Sequence, residues 1–108
     1  DVAPSRGLGD VYKRQVKKFA DSCKVPHMGW NTVRKLKTTL FQGINPGEWM
    51  YFVHSYYVPV TAYCIATCDY QRSFAAAICK NNFYGCQFHP EKSAGAGEKI
   101  IKNFLDIV

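Results

Sequence analysis

The sequence predicts an α/β fold, a series of short strands closed by one C-terminal helix. Three observations carry this. Between Trp49 and His89, apolar and aromatic runs of strand length recur, each bounded by turn residues. From Ser93 onward the pattern switches to helical spacing, with Ile100, Ile101, Phe104, Leu105 and Val108 forming one stripe. Of the 108 residues, 47% are hydrophobic and only 20% charged, which suits a buried core and excludes a disordered tail.

The elements follow in order. Pro26 to Asn31 reads as a loop entering a short extended piece at Thr32 and Val33. Leu36 to Ile44 fits a helical turn ending at Gly43, and Asn45-Pro46-Gly47 is a turn. Trp49 to Tyr57 is aromatic and β-branched and predicts a strand that Pro59 stops. Ala62 to Thr67 and Phe74 to Cys79 are two further strand-length runs, joined by a polar turn over Asp69 to Ser73. After a turn at Asn81-Asn82, Phe83 to His89 predicts a strand that Pro90 ends. Ser93 is the expected N-cap of the final helix, whose apolar stripe is expected to pack on the core. One helix is little cover for so many buried strands, since α/β domains alternate the two. The expectation is therefore part of a larger domain, with a sheet edge and an apolar face open to aggregation.

The first 15 residues lack periodicity and contain Pro4, Gly7 and Gly9. SRGLGDVYKRQ looks like a translated sequencing-adapter remnant, so residues 1–15 are expected to be a non-native tail and 16–108 the domain part. That tail holds three basic against two acidic residues, which leaves +5 of the +6 net charge on the other 93 residues. The charge raises the prospect of an anionic partner. However, the lysines and arginines are scattered, and strand aromatics such as Tyr56 and Tyr57 are more often core or interface than base-stacking platforms. No apolar run is long enough to span a membrane, and no apolar segment of a secretory signal opens the chain. The five cysteines are expected to be reduced thiols in a cytoplasmic protein, with Cys64, Cys79 and Cys86 buried and Cys23 and Cys68 exposed. Their spacings, with His27, His54 and His89, fit no common metal site. His27 and His54 are expected to be structural or interface residues.

The segment richest in chemistry is NFYGCQFHPEKS, residues 82–93. His89 and Glu91 flank Pro90, and in an extended backbone residues two apart point to the same side. A carboxylate beside an imidazole can hold one ring N–H, set the tautomer and stabilise the imidazolium. The other nitrogen then takes a proton from a nucleophile. Alone, a His-x-Glu is a weak signal, because a surface His with a Glu nearby is common.

The full string Gly-x-Gln-Phe-His-Pro-Glu resembles the C-terminal motif of class I glutamine amidotransferases. PHMGWN at 26–31, LFQGI at 40–44, YFVHSY at 51–56 and NFLDIV at 103–108 narrow the resemblance to the glutaminase (HisH-type) subunits of imidazole glycerol phosphate synthase, in histidine biosynthesis. It covers the chain from about Val25 to its end. The resemblance implies the C-terminal portion of a flavodoxin-like domain, a mixed sheet with a C-terminal helix. It implies hydrolysis of glutamine by a Cys-His-Glu triad, through a thioester, with ammonia passed to a cyclase subunit in a heterodimer. His89 would be the general base and Glu91 its orienting partner. Ser55 and Tyr56 match the segment that holds the amino-acid end of glutamine. Trp30, Tyr51 and Lys92 match positions at the cyclase interface. No metal or organic cofactor is implied.

The family's nucleophile sits on a Gly-x-Cys-x-Gly elbow, whose glycines permit the sharp turn. None of Cys23, Cys64, Cys68, Cys79 or Cys86 lies in such a setting. The expectation is that this polypeptide alone is inactive. Two alternatives stay open, a non-catalytic cyclase-binding remnant and a basic nucleic-acid-binding module.

Overall fold

The computed structural model describes residues 17–18 and 26–107. The expected tail at 1–15, Cys23 and Val108 lie outside the described residues. Seven strands are present among the described residues: β1 (Lys17–Lys18), β2 (His27–Thr32), β3 (Trp49–His54), β4 (Tyr56–Tyr57), β5 (Cys64–Tyr70), β6 (Arg72–Lys80) and β7 (Phe83–Cys86). Short 3-10 turns cover Thr39–Phe41 and Pro90–Lys92, and a helix, α1, covers Ala94–Ile107. Strands and a C-terminal helix agree with the α/β expectation.

The strands form a β5-β6-β7 sheet and the pairs β2-β3 and β1-β4, and each of these ladders is antiparallel. β6 is the centre of the larger sheet, and its run Phe74 to Ile78 is buried throughout. The three successive alanines Ala75, Ala76 and Ala77 let neighbouring layers approach closely here. Tyr70 pairs with Arg72 across a tip at Gln71, so the β5-β6 connection is far tighter than the polar turn expected over Asp69 to Ser73. Isolated bridges knit the sheets together, Arg34 to Thr67, Val58 to Ala75 and Phe52 to Phe88. Phe52, Phe74 and Phe88 meet edge to face or near it, with centroids 6.0 Å apart for both Phe52 pairs. These contacts place the core between β3 and the β5-β6-β7 sheet.

Several expectations are corrected. Residues 27–32 form β2 instead of a loop. Pro26, Gly29 and Asn31 read as breakers, but the long aromatic β3 supplies a complete partner, from His27 opposite His54 to Thr32 opposite Trp49. Gly29 has φ +121 within this strand, a conformation that L side chains rarely adopt, so the breaker signal and the strand are both real. The helical turn over 36–44 shrinks to Thr39–Phe41, because Lys35 and Thr38 take positive φ and interrupt any longer helix. The strand over 49–57 breaks at Ser55 into β3 and β4. Cys68 is buried, since the run 64–68 of β5 is covered throughout, while Cys79 and Cys86 are only half-buried near strand ends. On α1, Ile100 is buried, whereas Ile101, Phe104 and Leu105 are exposed. Ala96 and Ile107 of the helix also pack against the core, and the helix meets the 3-10 turn at Thr39–Phe41. There Asn103 Nδ2 donates to the carbonyls of Leu40 and Gln42, both at 2.9 Å.

Candidate active site

His89 lies just beyond the carboxyl end of β7. Gln87 N–H donates to Ala76 C=O at 2.8 Å, continuing the line of β7, and Phe88 then crosses to pair with Phe52 of β3. His89 N–H donates to Tyr51 C=O at 2.9 Å. The backbone of His89 is therefore held between two sheets, while its side chain stays 39% exposed. Pro90 opens a 3-10 turn, for which its fixed φ is pre-organised and its missing N–H is no loss.

Nδ1 of His89 lies 3.1 Å from Glu91 Oε2. The 3-10 turn brings the pair together, in place of the extended backbone expected. Glu91's carboxyl is held below the usual carboxylate range, first by its own backbone N–H and then by the bond to His89. It is thus an ionised acceptor at neutral pH, so Nδ1 carries the proton and donates, and Nε2 is left to accept one. With Glu91 60% exposed, the pair contributes orientation more than stability.

Cys64, Cys68 and Cys86 do not supply an activated nucleophile. Burial pushes the Cys64 thiol up, and pushes those of Cys68 and Cys86 up to about 12, so each is protonated at neutral pH. Their hydrogens go to nearby backbone, as from Cys64 to Ala66 C=O at 3.0 Å and from Cys86 to Phe88 C=O at 3.3 Å.

The other predicted residues fall into two groups. Trp30 stands opposite Tyr51 in the β2-β3 ladder with ring centroids 5.8 Å apart, and Tyr51 bonds His89, so Trp30, Tyr51 and His89 form one row. Lys92 ends the 3-10 turn that carries Glu91. Ser55 and Tyr56 sit at the far end of β3, apart from this row.

What organises the Ser55–Tyr56 bend is a buried histidine pair. His54 Nδ1 is 2.7 Å from Tyr56 C=O, which can only accept, so Nδ1 donates. His54 Nε2 must then accept from His27 Nδ1–H at 2.8 Å, and His27 Nε2 accepts from Asn31 Nδ2–H at 3.2 Å. His27 also stacks on Tyr70 with centroids 4.0 Å apart. The sequence marks both histidines as structural or interface residues, but their linkage across 27 residues has no local signal. Burial, then the charge of His54, lowers the His27 pKa to about 4, and burial lowers that of His54.

This has a measurable consequence. The unfolded chain binds a proton at His27 near pH 6.5, whereas the folded chain resists it down to about pH 4. Stability is therefore complete above pH 6.5 and falls as the pH drops through this window, by on the order of 3 kcal/mol. Urea unfolding at pH 7.5 and at pH 4.5 should show the loss, and His27→Asn should flatten it. An unchanged slope in that variant would remove His27 as the cause.

Comparison with known proteins defines the class. The family described as "Glutamine amidotransferase class-I" matches residues 8–108, and the chain belongs to this family. Among curated proteins it is similar to imidazole glycerol phosphate synthase subunit HisH of Bacteroides fragilis, 56% identical over 100 residues, covering 90% of this chain and 51% of that protein. The same-named subunit of Bacteroides thetaiotaomicron is 48% identical over 101 residues, covering 91% and 52%. That of Escherichia coli O157:H7 is 50% identical over 99 residues, covering 90% and 50%. The chain spans about half the length of these curated relatives.

Proposed function

We propose that this chain is the part of an imidazole glycerol phosphate synthase glutaminase subunit that carries the general base. The observation behind the proposal is the His89–Glu91 pair, with Nδ1 committed to an ionised carboxylate and Nε2 left open at the end of a strand. In this reading Nε2 takes the proton of a cysteine nucleophile and returns it to the departing ammonia. Glu91 stabilises the imidazolium between these steps. The backbone at Ser55 and Tyr56 holds the amino-acid end of glutamine. Trp30, Tyr51 and Lys92 face the cyclase subunit, which consumes the ammonia in the cytoplasm.

A Cys-His-Glu reaction needs a thiolate at an elbow, which none of the five cysteines provides. The purified 108-residue chain should therefore release no ammonia from glutamine. A complete subunit carrying this segment, assembled with its cyclase, should release it. Ammonia release by the short chain that disappears in its His89→Ala variant would contradict the reading. So would a complete, folded subunit that fails to hydrolyse glutamine with the cyclase present.

A further inference from the structure

Ser93 begins the last helix in the manner expected of an N-cap, since its carbonyl accepts the N–H of Gly97 at 3.1 Å. Its side chain does something else. Ser93 is 1% exposed, and its hydroxyl donates to His89 C=O at 2.6 Å while accepting the N–H of Tyr51 at 3.0 Å. A serine hydroxyl has one hydrogen, and the carbonyl and the N–H fix both of its roles.

The place of this hydroxyl in the ladder gives it meaning. Phe52 and Phe88 form an antiparallel bridge, so Tyr51 and His89 face each other one step further along. In such a ladder every second facing pair exchanges two N–H···O bonds, and Tyr51–His89 stands at such a position. One is direct, from His89 N–H to Tyr51 C=O at 2.9 Å. The other route, from Tyr51 N–H to His89 C=O, passes through Ser93 Oγ. The hydroxyl is spliced into the ladder at the residue that bears the imidazole. Ala94, the first residue of α1, takes φ +53, a left-handed conformation that L-residues rarely adopt.

We propose that Ser93 is a positioning residue for His89. It clamps the His89 peptide to β3 from the carbonyl side, as the direct bond does from the amide side, and so sets where Nε2 lies. The inference rests on the reading of His89 as the general base. A reacting group displaced by about 1 Å loses about 10²-fold in rate. Cutting one of the two ties should therefore reduce turnover and leave glutamine binding nearly intact, because Ser55 and Tyr56 hang on a separate network through His54.

The test uses a complete glutaminase subunit carrying this segment, assembled with its cyclase, in the variants Ser93→Ala, Ser93→Thr and His89→Ala. Ser93→Ala should lower kcat roughly 10- to 100-fold with KM within about threefold. Ser93→Thr, which keeps the hydroxyl, should recover most of the loss. The nitrogen NMR signals of the His89 ring should move in Ser93→Ala, and those of His27 should not. A kcat for Ser93→Ala within twofold of the parent overturns the proposal, as does an unmoved His89 ring. If Ser93→Ala does not fold, Ser93→Cys, close in size with a far weaker donor, takes its place under the same criteria. Full activity in His89→Ala would instead defeat the assignment of the base itself, which separates that failure from failure of the clamp.

Discussion

Replacing His89 by alanine in a complete subunit should lower glutaminase kcat by about 10³-fold or more, with KM for glutamine changed only a few-fold. In the proposed reaction the imidazole acts twice, taking the thiol proton before attack and delivering it to the leaving ammonia. Alanine removes both steps and leaves the binding groups in place. Glu91→Gln should also lower kcat, by less than His89→Ala. The neutral amide no longer stabilises the imidazolium, and its NH₂ can donate to Nδ1, which favours the tautomer with Nε2 protonated and so blocks the base. Water around the exposed Glu91 compensates in part, which keeps this loss below that of His89→Ala. Steady-state ammonia release gives both numbers. A His89→Ala subunit retaining more than a tenth of the parental kcat would end the assignment.

The second large effect concerns two glycines two residues apart on α1. A Cβ built on Gly97 would collide with the carbonyl oxygen of Pro90, the residue between His89 and Glu91. A Cβ on Gly95 would meet nothing within 4 Å. Both substitutions to alanine gain helix propensity, up to about 1 kcal/mol. For Gly95→Ala that gain stands alone, and the variant should be unchanged or slightly more stable. For Gly97→Ala the obstacle is backbone, which cannot swing aside like a flexible side chain. Either α1 or the 3-10 turn must move, and overpacking of this kind costs about 1–3 kcal/mol. The net expectation is destabilisation by about 1–2 kcal/mol, or a loss of about 2–8 °C in Tm for a chain of 150–250 residues. Because the displaced turn carries both His89 and Glu91, kcat should fall more than stability alone accounts for. Equal melting temperatures for Gly95→Ala and Gly97→Ala would show that the helix yields without cost.

Legibility from sequence followed the range of the interactions. β3, the β6 core run and α1 are readable because their signals are periodic and local, and the His-Pro-Glu spacing is readable because its residues are close in the chain; the 3-10 turn, and not an extended backbone, then brings the two side chains together. β2 was missed. Its own residues favour a loop, and it is a strand because β3 pairs with it along its length. The α1 stripe was read as core-facing throughout, but a periodic pattern shows which residues share a face and not what covers it. Cys68, expected at the surface, is buried with its neighbours Cys64 to Thr67, because the run 64–68 of β5 is covered throughout.

Sequence alone determined the family, the His89–Glu91 pair and the want of a glycine-flanked cysteine, all of which are properties of residues close together in the chain. Only the tertiary structure decided that the Ser93 hydroxyl bonds the His89 carbonyl and the Tyr51 N–H, that His27 Nδ1–H donates to His54 Nε2, and that a Cβ at Gly97 would meet the Pro90 carbonyl. Each of these turns on a contact with another part of the fold. Ser93 reaches Tyr51, 42 residues away, and His27 reaches His54, 27 residues away. Gly97 touches the Pro90 carbonyl only because the chain doubles back between the 3-10 turn and α1. Such partners are set by how the sheets and helix pack, and no local pattern of residue types encodes them.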